Sequence, residues 1–187
     1  MRIVEFFFDV GSPYSYIAAT QLQRLKPLAE VRWRPVLVGG IFKATQNNPP
    51  ISVPARAPYL IKDLQRLCAY YRIPFQMPGV FPANTLQAMR CLHAVEPDIL
   101  DVTAMALFEA YWVENKNIAD PAVLVDLMGQ EIVLKTQTEA IKLALKDTTD
   151  EAVMRGAFGV PSFFLDEDMF FGEDRIFLLE HVLKNTA

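Results

Sequence analysis

Ile3, Val4, Phe6, Phe7 and Phe8 form an apolar run broken only by Glu5. Such a run suits a strand covered on both faces, so residues 2–9 are predicted to be a central strand. From Pro13 onward the period changes. Ile17, Ala18, Leu22 and Leu25 recur every three or four residues, with Gln21, Gln23, Arg24 and Lys26 between them, which predicts an amphipathic helix over 13–28. Residues 31–38 alternate apolar and charged up to Pro35 and predict a strand with one face open, or an edge strand. Strand, helix and strand together make a unit whose two strands run parallel. Gly39-Gly40 is expected to break that pattern, ahead of a turn-rich loop through Asn47, Asn48, Pro49 and Pro50.

The next hundred residues read as helices. Leu60, Leu64, Leu67 and Tyr71 make a stripe over 54–73 that Cys68 shares, so this cysteine reads as core. After an irregular stretch containing Pro74, Pro78 and Pro82, Asn84 is expected to cap a helix to about 95, and Pro97-Asp98 to open another to about 115. Asp120-Pro121 starts a short helix that Gly129 ends, and 136–146 and 149–155 are further helical stretches. Strand pattern returns at Val160–Leu165 and Met169–Phe171 around Asp166-Glu167-Asp168, which predicts an antiparallel hairpin, and a last helix carries Ile176, Leu179, Val182 and Leu183. The order βαβ, helical block, ββα is that of an α/β, thioredoxin-like fold with a large all-helical insertion. The expected boundaries are a thioredoxin-like domain of 1–51 and 156–187 and an inserted helical domain of 52–155.

The first junction carries the candidate chemistry. The apolar run ends at Gly11, Ser12 is a strong N-cap type, and Pro13 has the fixed φ that suits a first helical position. On this stretch alone Ser12 reads as a helix cap. An anion or thiolate set beside it would also be stabilised, by the unpaired N–H groups and the positive end of the helix dipole.

Composition narrows the class. In 187 residues with 52% in the apolar set there is enough material for one substantial core. A net charge of −4 with no basic run argues against a nucleic-acid partner. No apolar stretch reaches signal-peptide or membrane-span length, so no membrane role is expected. Cys68 and Cys91 belong to no Cys-x-x-Cys or zinc spacing, and two ordinary buried thiols in a cytoplasmic setting are the simplest account of them. His93 and His181 have no partner at ligand spacing and read as structural. Phe42, Phe81, Tyr111 and Trp112 read equally as an apolar acceptor pocket or as core.

Phe-x-Asp-x-x-Ser-Pro-Tyr-Ser near the start, Gly156-Ala157-Phe158-Gly159-Val160-Pro161 and Phe171-Gly172-Glu173-Asp174-Arg175 resemble the 2-hydroxychromene-2-carboxylate isomerases and kappa-class glutathione transferases. Both belong to the wider DsbA type of thioredoxin fold. The resemblance spans essentially the whole chain. It implies glutathione as cofactor, a small aromatic substrate, a role in aromatic catabolism and a homodimer. Ser12 matches the position that carries the first cysteine of a disulfide oxidoreductase, so the thiol must come from glutathione, with Ser12 as the catalytic residue beside it.

The same resemblance implies that Pro161 is a cis-proline and that Val160 offers its backbone to the cysteinyl part of glutathione. Asp174 matches the acid that pairs with the γ-glutamyl ammonium. Asn47 matches a glutathione-contacting asparagine, and Arg56 stands where a lysine is usual, keeping positive charge for the glycyl carboxylate. Glu173 replaces a small or neutral polar residue at the place where the γ-glutamyl carboxylate would be captured. The expected activity is a glutathione-dependent isomerase. The alternatives are a kappa-like transferase or peroxidase that consumes glutathione, and a non-catalytic binding module on the same scaffold.

Overall fold

The computed structural model describes residues 2–185; Met1, Thr186 and Ala187, which the expected domain boundaries include, lie outside the described residues. Strand β1 (Arg2–Phe8) leads into α1 (Pro13–Gln21), β2 (Ala29–Pro35) and α2 (Val38–Thr45). The helices α3 (Ala57–Tyr71), α4 (Leu86–Ala94), α5 (Leu100–Trp112), α6 (Pro121–Met128), α7 (Gln130–Lys135) and α8 (Glu139–Met154) follow. The chain closes with β3 (Ser162–Leu165), β4 (Asp168–Phe171), a 3-10 turn (Glu173–Arg175) and α9 (Ile176–Asn185).

The sheet order is β2-β1-β3-β4. β1 pairs parallel with β2 and antiparallel with β3, placing Phe6 opposite Trp33 on one side and Phe163 on the other. Alternation along the strand sends Phe6 and Phe8 into a core with α1, α4 and α5, and Phe7 into a second core with Ile41, Ala152 and Phe164. All three phenylalanines are fully buried, worth roughly 1.5–3 kcal/mol each. Strand β2 lies at the sheet edge, which accommodates Pro35 at its end. The helical block is continuous with the sheet, because Phe108, Tyr111 and Trp112 of α5 belong to the same buried cluster as Phe6 and Phe8.

Several boundaries differ from the sequence pattern. The first helix ends at Gln21 and passes through a 3-10 turn, Leu22–Arg24. Gly39-Gly40 breaks nothing and lies inside α2. The start of that helix is held by distant side chains: Leu37 N–H donates to Thr149 Oγ1 (3.0 Å) and Val38 N–H to Asp9 Oδ2 (2.9 Å). The two stretches expected over 136–155 are one helix, α8, whose Thr148 and Thr149 hydroxyls bond back to the carbonyls of Ala144 and Leu145. The short α7 has no counterpart in the pattern. Asn84 precedes the cap residue Thr85 of α4, though its Oδ1 accepts from Leu86 N–H at 3.1 Å.

Candidate active site

The β1–α1 junction is organised by Asp9, whose side chain is fully buried. Its carboxylate accepts from Gly11 N–H (2.9 Å), Val38 N–H (2.9 Å) and the Thr85 hydroxyl (3.0 Å). Burial pushes this carboxyl's pKa up, and the three donors oppose the rise. Asp9 thereby joins the strand end, α2 and the helical block at one point. Gly11 is required there, since a Cβ on it would stand 2.7 Å from Thr85 Cγ2.

Ser12 follows in extended conformation as the N-cap of α1, with Pro13 in the first turn. Its Oγ accepts from Ser15 N–H at 3.2 Å and donates to the carbonyl of Val160 at 3.4 Å. The Val160–Pro161 bond is cis. Gly172 N–H donates to the Pro161 carbonyl (2.9 Å) and the Ser162 hydroxyl to Gly159 O (2.9 Å), which fixes this loop against the sheet. Val160 itself precedes the β3 ladder, which begins at Ser162, so its backbone lies just beyond the start of that strand, with its carbonyl facing Ser12.

A cleft of about 620 Å³ opens at this point, and Ser12, Asn47, Arg56, Val160, Pro161, Glu173 and Asp174 all line it. Asn47 Nδ2 donates to Phe158 O at 3.1 Å, tying the loop after α2 to the loop before Pro161. Arg56, at the start of α3, is exposed. Of the four aromatics suggested by the sequence, Phe42 and Phe81 line the cleft. Tyr111 and Trp112 are buried behind it. The Tyr111 hydroxyl donates to Val80 O (2.8 Å) and accepts from Ala83 N–H (3.2 Å), holding the loop that carries Phe81 and the cis Phe81–Pro82 bond. Phe158 and Phe171, with ring centroids 4.4 Å apart, complete an aromatic wall.

Three acids, Asp63, Glu173 and Asp174, line the cleft as well, with Arg175 next to the last of them. Gly172 makes room for Asp174: its φ is +104°, and a Cβ there would stand 2.6 Å from Asp174 Oδ1. Asp174 is exposed and pairs with Arg175 at 2.5 Å. Glu173 is only 9% exposed. Burial first, then the neighbouring Asp174 and more weakly Asp63, raise its pKa from 4.5 to about 7 against the pull of the Glu173 and Asp174 N–H groups. The sequence pattern assigned no role to Asp63, nor to Tyr14 within its motif, yet both line the cleft and the Tyr14 hydroxyl meets the Asp63 carboxylate at 3.4 Å. They lie on different helices with no local signal joining them.

The cleft contains no thiol. Cys68 and Cys91 are free and buried, and burial pushes their pKa values to about 11 and about 12. Neither lines the cleft. Among the described residues no group of His, Cys, Asp and Glu is arranged to hold a metal ion, and no helix is long and apolar enough to cross a membrane. His93 is held by a 2.9 Å bond to Pro35 O. Burial lowers its pKa, so the neutral ring donates from Nε2.

A strand running into a serine-capped helix beside a cis-proline loop defines a thioredoxin-type site, and the family model for the DSBA-like thioredoxin domain matches residues 3–184. The chain belongs to that family. Within it, the chain is 33% identical to glutathione S-transferase kappa 1 of Rattus norvegicus, over 97% of this chain and 91% of the relative. It is 29% identical to 2-hydroxychromene-2-carboxylate isomerase of Pseudomonas putida, over 97% of this chain and 94% of the relative. A solved 2-hydroxychromene-2-carboxylate isomerase superposes with a TM-score of 0.88 at 26% identity, covering 98% of this chain and 95% of that one. The chain is thus related to both enzyme groups.

Proposed function

We propose that the cleft binds glutathione with its sulfur beside Ser12, and that the protein isomerises a small aromatic substrate carrying an unsaturated ketone, of the 2-hydroxychromene-2-carboxylate type. The observation that carries this reading is the placement of the Ser12 hydroxyl, at the N-terminus of α1, against Val160 in a thiol-free cleft. A volume of about 620 Å³ lies within the usual range for a small-ligand site, roughly 300–1,000 Å³, and accommodates a tripeptide with a small second ligand.

The residues divide the work by their chemistry. Val160 presents backbone polar groups to an extended peptide, as in strand addition. Arg56 supplies positive charge for a carboxylate and Asp174 negative charge for an ammonium. Glutathione is charged in a matching way, with a carboxylate alone at its glycyl end and the only ammonium at its γ-glutamyl end. Ser12 donates a hydrogen bond to the sulfur, and the field of α1 adds to it, both favouring the thiolate. Bound glutathione supplies a nucleophile that adds reversibly to the substrate and leaves unchanged after the double bond has turned. Phe42, Phe81, Phe158 and Phe171 give the aromatic substrate an apolar wall.

A second reading, a kappa-like transferase, rests on the 33% identity to the rat enzyme. The two differ in stoichiometry. With 2-hydroxychromene-2-carboxylate and glutathione, isomerisation leaves the free thiol constant over many turnovers. One thiol lost per product formed would establish transfer instead, and no turnover with calorimetrically silent glutathione would leave a binding scaffold.

A further inference from the structure

Glu173 lines the cleft together with Asp63 and Asp174. It is nine-tenths buried beside Asp174, and the N–H groups of Glu173 and Asp174 favour its charged form against that burial. Those two groups are the donors a ligand carboxylate would need here. Resting on the glutathione reading of the site, we propose that Glu173 is a proton-linked selectivity residue: it competes with the carboxylate of the ligand's α-amino-acid end for the same donors, so that such a ligand binds with uptake of a proton by Glu173.

The surroundings decide the sign. The groups facing Glu173 are Tyr14 from α1, Asp63 and Tyr71 from α3, and Asp174 beside it in the 3-10 turn. Both tyrosine pKa values are raised, by burial first, so they stay neutral and add no positive charge. Arg175, which also lines the cleft, is engaged with Asp174, and Arg24, whose charge acts on Tyr71, is engaged with Glu180. Arg56 lines the cleft as well, but it forms none of the contacts around Glu173. The charged side chains that act on Glu173 are Asp174 and Asp63, and a ligand carboxylate entering beside them adds a like charge at short range, which raises a carboxyl pKa further. In the free protein Glu173 already titrates at about 7, so at neutral pH a proton is readily available to it. The ligand's ammonium, by contrast, gains from Asp63 and Asp174. The site therefore favours an amine beside these acids and tolerates the adjoining carboxylate only when Glu173 is neutral.

S-methylglutathione, whose sulfur carries no proton, isolates the effect. Calorimetric titration of the full-length protein at several pH values between 6 and 8, in buffers of different ionisation enthalpy, counts the protons taken up. Wild type is expected to take up about half a proton at pH 7, rising toward one at pH 8, with affinity falling by up to about tenfold per pH unit above 7. Glu173→Gln should bind with nearly flat affinity across the range. The ligand's own titrations are common to both proteins, so the difference between them belongs to Glu173. Binding by wild type with the same uptake and slope as Glu173→Gln would overturn the inference while leaving the glutathione reading in place. Binding by neither protein at any pH would overturn the glutathione reading and the inference with it.

Discussion

The Ser12 hydroxyl and the Val160 carbonyl oxygen face each other at 3.4 Å, across 148 residues of sequence. One belongs to a helix N-terminus, the other to the loop before β3. Their approach brings an oxygen donor and the Val160 backbone together in the cleft lining. At 3.4 Å the bond is long, so the hydroxyl can turn from Val160 to a bound sulfur at little cost.

Ser12→Ala removes that donor and leaves the helix field. The pKa of bound glutathione, followed by thiolate absorbance against pH, is expected to rise by about one unit, a loss of roughly 1.4 kcal/mol of thiolate stabilisation. It should remain below the value of the free thiol, and turnover at pH 7 should fall with the thiolate fraction. Equal pKa and equal rate in wild type and Ser12→Ala would reduce Ser12 to a helix cap.

Asp9 fixes the backbone that carries this hydroxyl, through its bond from Gly11 N–H. Asp9→Ala leaves the buried Thr85 hydroxyl and the half-buried Gly11 and Val38 N–H groups without their acceptor, and a buried donor left unpaired costs roughly 1–3 kcal/mol. Urea unfolding should report a destabilisation on the order of 3–5 kcal/mol. Where the protein still folds, glutathione binding should weaken, because Gly11 and Ser12 lose their fixed position. A stability change under 1 kcal/mol would remove Asp9 from this role.

Asp174→Asn keeps the shape of the acidic group and removes one charge. Arg175 is its present partner, in an exposed pair of the kind worth at most about 1 kcal/mol, so the fold should be unaffected. Glutathione binding at pH 6.5 is expected to weaken by roughly 1–3 kcal/mol, the scale of a charge-assisted hydrogen bond. Unchanged affinity by calorimetry would show that the ammonium is held elsewhere.

Glu173 also links stability to pH in the free protein. Its pKa is raised from 4.5 to about 7 on folding, so between those values the folded state binds more protons than the unfolded chain. Stability from this group is complete below about 4.5 and is lost as pH rises through about 7, by an amount on the order of 2–3 kcal/mol. Glu173→Gln removes the titration. Its urea midpoint should exceed that of wild type at pH 8, and the advantage should shrink toward pH 4.5. A constant difference across that range would mean that Glu173 titrates normally.

The sheet and the Ser12 junction were legible in the sequence because their causes are local. The Phe6–Phe8 run marks a strand buried on both faces, and Ser12-Pro13 marks a helix start. Features with distant causes were not. Gly39-Gly40 looks like a break until Asp9 and Thr149, from β1's end and from α8, supply the donors of α2 with acceptors. Thr149 looks like an interruption until its hydroxyl satisfies the Leu145 carbonyl inside the helix. In the cleft, Phe158 and Phe171 already stood inside the motifs, but only the paired rings reveal an aromatic wall. The burial of Glu173 depends on α1 and α3 closing over it, which no spacing along the chain records.

The chain contains two tryptophans. One of them, Trp112, donates its indole N–H to Val10 O at 2.8 Å, two residues before Ser12, and packs edge-on against Phe81 at 5.7 Å. The other, Trp33, stacks edge-on against Phe6 and Phe8 in the sheet. The molecule therefore carries its own optical probe. A ligand that presses on Phe81 shifts the surroundings of a buried indole, while Trp33 supplies a steady background signal from the sheet. Occupancy of the cleft can then be followed by intrinsic emission in unlabelled protein, and Trp112→Phe identifies which indole responds.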